Sequence, residues 1–182
     1  MNRFRIVHLM LFFSLNVSHA VIVVPNDPLV NDQHYLFLER GGIGAPEAWV
    51  LAGGIDALEE VVVAIVSSGI MTTHEDLQNQ LWVNEDEIPG NGIDDDQNGY
   101  TDDVHGWNFA KHSGDIEDGF GEGTFLAGII AAEANNGVGI AGIAPNARIM
   151  SLVTIRNPSG DFIGGGGYSS GGLTYEMIQY AI

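Results

Sequence analysis

The stretch "DGFGEGTFLAG", residues 118–128, sets one carboxylate, Glu122, between two glycines just ahead of an apolar run. Glycines let a backbone approach a ligand closely, and a residue held at such a turn into a helix is presented to whatever lies in front of it. A carboxylate there could serve as a general acid or base. It could equally do no more than favour the positive end of the helix, by about 0.3–1 kcal/mol. A second oxygen-rich stretch, "DDDQNGYTDD", places Asp94, Asp96 and Asn98 at alternate positions, then Gly99, then Tyr100 with its carbonyl. Alternating oxygen donors before a turn-permitting glycine open an EF-hand-like loop, which Asp102 or Asp103 would complete around calcium. The closing bidentate glutamate is absent and His105 stands at the twelfth position, so the expectation is a calcium-type acidic insert over 91–103 and not a true EF-hand. A simply solvated acidic loop is the alternative. His74, His105 and His112 have no second His or Cys at ligand spacing, which argues against zinc.

These residues need elements to hold them. "VVVAIV", residues 61–66, is a continuous β-branched run of the kind found in a strand buried on both faces, and it leaves Ser67 at the strand's carboxyl end. In open parallel sheets ligands bind at that end. "VHGWNFA" and "RIMSLVTI" read as further strands, and "TFLAGIIAAEA" as the helix that the glycine turn feeds. "GAPEAWVLAGG" reads as a helix with proline in its first turn and glycines at its stop. A last helix over "LTYEMIQYAI" puts Met177, Ile178, Ala181 and Ile182 on one face. Alternating strands and helices predict an α/β fold with a parallel sheet. No following strand covers that last apolar face, so the architecture reads as cut, with room for a partner there.

The chain has 182 residues, enough for one domain with a sizeable core. A net charge of -18, from 24 acidic and 6 basic residues, argues against nucleic acid and anionic membranes as partners and in favour of cations. A positive start "MNRFR", an apolar centre and "SHA" before the following valine form a signal peptide over residues 1–20. An extended, Pro- and Asp-rich arm over 21–44 follows. The expected location is outside the cytoplasm, either extracellular or periplasmic. No later run is long and apolar enough to span a bilayer. An exported chain without cysteine needs another staple, and a metal would provide one.

Taken in order, "PNDPLVNDQ", "IGAPEAW", "VVVAIVSSGI", "THEDL", "GEGTFLAGIIAA", "NNGVGIAGIAPNARI" and "YAI" resemble the amino-terminal half of a subtilisin-like serine protease, nearest the thermitase-like branch. The resemblance runs from about residue 25 to the end. It implies a subtilisin-like three-layer fold, an incomplete peptidase domain over 45–182, and cleavage of polypeptide substrates by acyl transfer. It also exposes departures. The family motif Asp-(Ser/Thr)-Gly reads "SSG" here, with Ser67 at the place of the Asp that orients the catalytic imidazole. Gly-His-Gly-Thr-His reads "GEGTF", with Glu122 at the general base and Phe125 at the second His. Met71 stands where a polar residue is usual. The nucleophilic Ser belongs to a part of the family domain beyond the matched segments.

A neutral imidazole accepts a serine proton near pH 7, whereas an unperturbed glutamate titrates at about 4.3. The related Ser-Glu-Asp proteases, the sedolisins, do use a glutamate at this place, backed by an Asp four residues later. Leu126 occupies that position here. The expectation is therefore a catalytically inactive member with no intact catalytic residue and no organic cofactor, against an active serine endopeptidase or one half of a split protease. The resemblance further implies a calcium held by Asp27, Asp76, the Asn136 side chain, and the carbonyls of Val138 and Ile140.

Overall fold

The computed structural model describes residues 22–156, 162–163 and 170–182. The proposed signal peptide over 1–20 lies outside the described residues. Among those described, no helix is long and apolar enough to cross a membrane.

Strand β1 (Val62–Ser67), strand β2 (Gly106–Asn108) and strand β3 (Arg148–Val153) form a parallel sheet in the order β1-β3-β2. The register pairs Val62 with Arg148 and Ser67 with Val153, while Asn108 also meets Val153. The carboxyl ends of all three strands therefore finish together. A short antiparallel pair, β4 (Ile155–Arg156) and β5 (Phe162–Ile163), follows β3.

Helix α1 (Ala45–Leu51) carries Pro46 in its first turn, where the missing N–H costs nothing, and Gly53 and Gly54 follow its end with positive φ. Helix α2 (Glu122–Ala131) begins two residues earlier than the apolar run predicts, because Gly121 adopts a left-handed conformation and starts the helix at Glu122. Helix α3 (Ser170–Tyr180) closes the described chain.

The two faces of the sheet are covered by different helices. Ile65 and Ile149 pack with Ala127 and Ala131 of α2 and with Ile70, Leu77 and Leu81. On the other face, Met150, Leu152, Trp107 and Phe109 pack against Met177 of α3. The result is an α/β arrangement with helices on both sides of a parallel sheet.

Three expectations are corrected here. The strand over 61–66 is buried on one face only: Ile65 lies inside while Val62, Ala64 and Val66 are exposed, because β1 sits at the sheet edge and α2 covers a single side. The apolar face of the last helix is divided, with Met177 buried and Ile178 and Ile182 exposed, so the sheet covers part of it. The arm is not extended. Residues 30–32, 34–36 and 38–40 form three 3-10 turns, and Val30, Leu36 and Phe37 pack against Trp49 and Ala141.

Candidate functional site

The carboxyl end of β1 meets the amino end of α2. Gly69, with φ of +117°, turns the chain away from the strand, and Gly123 sits so close that any Cβ on it would run into the Gly69 carbonyl oxygen. Ser68 ties the junction together. Its hydroxyl donates to Asp118 at 2.8 Å and accepts the Gly123 N–H at 3.2 Å.

Asp118 is the hub of this junction. One carboxylate oxygen accepts from the Phe120 and Gly121 backbone N–H groups as well as from Ser68. The other accepts the Thr124 N–H at 2.9 Å and the Thr124 hydroxyl at 2.7 Å. Burial alone would push its pKa up, but the Thr124, Phe120 and Ser68 hydrogen bonds outweigh that and hold it at about 2. The Thr124 hydroxyl oxygen also accepts the Met71 N–H, so the turn after β1 and the first turn of α2 share one network. Sequence reasoning passed over Asp118 and Ser68. The available signal was Asp118 lying six residues ahead of Thr124, a carboxylate within reach of helix-start N–H groups.

The two positions singled out for catalysis behave differently from that hub. Ser67 is 8 % exposed; its backbone oxygen accepts from Thr154, and its side-chain oxygen is buried with no hydrogen-bond partner among the described residues. Glu122 is the first residue of α2 and is exposed, and its carboxylate makes no hydrogen bond among the described residues. No acid–base relay therefore connects them. Phe125 and Leu126, one turn further along, are also solvent-exposed.

The acidic insert gathers a set of residues that only partly overlaps the one read from its spacing. Carboxylate oxygens of Glu87, Asp96 and Asp103 all lie within 4.8 Å of one another, with Glu87 and Asp103 buried. Asn84 donates to both Asp96 and Asp103 at 3.0 Å, and the Asn98 side chain donates to the same two at 2.9 and 3.2 Å. The Asn84 hydrogen bond leads in drawing the Asp96 carboxyl below its ordinary range, against the opposing pull of burial. Asp94 is occupied with the Asn98 and Gly99 N–H groups, and Asp102 with those of Asn91 and Gly92. The Tyr100 ring stacks edge-on to Trp107 and Tyr180. Glu87, which precedes the loop, was the member that spacing could not supply: it accepts the Asp95 and Asp102 N–H groups across the loop.

Asp27, Asp76 and Asn136 of the other expected set meet in one hydrogen-bonded loop, in which Val138 and Ile140 take part through their N–H groups. Asp27 and Asp76 are each 2 % exposed. Asp27 accepts the Asn135 and Asn136 N–H groups at 3.0 and 3.2 Å; Asp76 accepts the Asn136 side-chain amide at 2.8 Å and the Ile140 N–H at 3.0 Å. The Asn136 side-chain oxygen accepts from Val138 at 2.7 Å. Gly139 has a positive φ and lies against Asp76, where a Cβ would collide with the carboxylate. The described ion pairs are Lys111 with Asp115 and Arg148 with Glu60, so neither carboxylate group has a basic partner among the described residues.

The sequence profile described as the Subtilase family matches residues 59–182. The chain belongs to the subtilase family of subtilisin-like serine proteases. Thermitase of Thermoactinomyces vulgaris is 32% identical over 159 residues, covering 86% of this chain and 45% of thermitase. Subtilisin-like protease 1 of Plasmodium vivax is 44% identical over 89 residues, 48% of this chain and 14% of that protein. Among solved structures, a protease from Pseudoalteromonas arctica aligns over 82% of this chain and 46% of its own, with a TM-score of 0.48 and 25% identity. The chain spans less than half the length of the curated relatives it matches.

Proposed function

We propose that this chain is a catalytically inactive, exported subtilase domain that binds calcium. The observation that carries the inactive reading is the pair at the junction of β1 and α2. Ser67 is a neutral hydroxyl with no partner among the described residues, and Glu122 is a solvent-facing carboxylate with no hydrogen bond to it. A hydroxyl has no charge with which to steady an imidazolium, and Glu122 lacks the second carboxylate that a Ser-Glu-Asp mechanism requires, since Leu126 stands four residues on. What remains is the scaffold: Asp118, Ser68 and Thr124 still fix the helix start. Purified chain incubated with fluorogenic peptides is expected to give no turnover. Turnover blocked by a serine-protease inhibitor and lost on Glu122→Ala would overturn this reading.

Export is supported by the three-part pattern of residues 1–20. Amino-terminal sequencing of secreted material should begin at Val21.

Calcium is supported by chemistry of the residues. Asp27 and Asp76 are buried carboxylates facing one polar loop, without a basic counterion among the described residues, and buried charge of one sign calls for a cation. Asp27, Asp76, Asn136 and the carbonyls of Val138 and Ile140 would hold one ion. Asp96 and Asn98, with Glu87 and Asp103, would hold a second, while Asp94, Tyr100 and Asp102 shape its loop. Bound calcium would supply structural cross-linking between segments far apart in sequence, in the role that disulfides play elsewhere.

A second reading, half of a split protease, draws on the exposed outer face of β1, where Val62 and Val66 are about half exposed. Co-expression with a polypeptide resembling the complementary half of a subtilase should then yield a co-purifying complex. The substitutions at Ser67 and Glu122 remain unexplained by it.

A further inference from the structure

A groove of about 700 Å³ runs along α2, bounded by the arm, the turn after β1 and the loop at Gly139–Ile140. Its volume falls in the range of ligand-binding clefts, roughly 300–1,000 Å³. Three features define it. Its walls carry large apolar side chains left in solvent: Phe125 is 67% exposed, Leu29 50% and Met71 47%. Gly128 and Ala132 line its floor with small residues. Its ionisable wall residues are the carboxylates Asp32, Asp76 and Asp118 and the imidazole of His74, and no Lys or Arg lines it among the described residues.

Two exposed apolar residues distant in the chain meet here. Met71 and Phe125 are 54 positions apart in sequence. Both are left in solvent and both face this one groove. Exposing a bulky apolar group costs solvation free energy that a monomer does not recover, so a pair exposed on one groove marks a contact surface. The carboxylates then decide what the surface accepts, because a chain of net charge -18 repels a second copy of itself and attracts a basic partner.

We propose that the groove binds a partner polypeptide through a bulky apolar residue flanked by Lys or Arg, the apolar side chain lying between Met71 and Phe125 and the basic groups drawn to the exposed carboxylate of Asp32 at the rim. This goes beyond the reading of the chain as an inactive subtilase and does not require it. The groove is built from the arm and the outer face of α2.

The test is fluorescence anisotropy of the full chain with two labelled peptides, Lys-Leu-Phe-Lys and Glu-Leu-Phe-Glu. The basic peptide is expected to bind saturably and at least about tenfold more tightly than the acidic one, with the difference shrinking at high salt. Both wall residues are exposed, so the double variant Met71→Ser, Phe125→Ser should keep its circular dichroism and thermal midpoint while losing at least about tenfold in affinity. Asp32→Lys should reduce the preference for the basic peptide and leave the fold intact. Non-saturable binding of the basic peptide, equal affinity in the double variant, or equal affinity for both peptides would overturn the proposal. So would a dimer seen by sedimentation and abolished by the double variant, since the occupant would then be a second copy.

Discussion

Asp118 shows how much one side chain can organise through hydrogen bonds alone. Its carboxylate collects donors from Ser68, Phe120, Gly121 and Thr124 and so fixes both the end of β1 and the start of α2. Its folded pKa, about 2, lies below the ordinary 3.8. A depressed folded pKa means that the stabilisation is complete above the unfolded value and is lost as pH falls through the folded one. The chain's stability should therefore carry an acid-side component between pH 3.8 and about 2, and Asp118→Asn should remove that component in urea melts taken across this window. Removing the helix-capping carboxylate should itself cost about 0.5–2 kcal/mol at neutral pH. Gly123→Ala is the harsher change at the same junction. Backbone packed against backbone leaves no flexible atom to yield, so a loss of about 1–3 kcal/mol or more is expected in the same melts. Glu122 and Ser67 could be picked out from the sequence because their motif is local. Asp118 was only half legible: its bonds to Phe120, Gly121 and Thr124 are local, but its tie to Ser68 spans 50 residues.

At the scale of elements, β1 shows why pattern alone misjudges burial. Six consecutive residues favour a strand, and a strand forms, but how many of its faces are covered depends on which elements pack against it. Ile65→Ala, on the face that meets α2, should destabilise the chain by about 2–5 kcal/mol. Val66→Thr, on the exposed face one position later, should change stability by no more than about 0.5 kcal/mol, and thermal melts of the two variants side by side check the contrast. The arm teaches a similar lesson. Its prolines and aspartates suggested extension, yet Val30, Leu36 and Phe37 fold it into 3-10 turns because Trp49 offers apolar surface to bury against.

For the whole molecule, the charge balance dominates. With 24 acidic residues against 6 basic ones, buried carboxylates at Asp27, Asp76, Glu87 and Asp103 are left without basic partners among those described, and cations are the direct way to neutralise them. Millimolar calcium should raise the thermal midpoint, with about 2.7 kcal/mol of stabilisation at a hundredfold excess over Kd. Asp76→Asn and Glu87→Gln should each remove part of that calcium response, and differential scanning fluorimetry with calcium or chelator reads both. An unchanged midpoint in the unsubstituted chain would count against both ion sites.

What the sequence determined by itself was local or compositional: the order of strands and helices, the parallel α/β class, the resemblance to the subtilase motifs, and the excess of negative charge. These follow from periodicity, turn chemistry and residue type, which neighbouring residues suffice to express. Tertiary structure decided the rest. It brought Glu87 to Asp96 and Asp103, Asp27 to Asn136, Ser68 to Asp118, and Met71 to the same groove as Phe125. Each of these pairings spans many residues, and only the packing of the arm, the sheet and α2 into one body sets which distant side chains share a site.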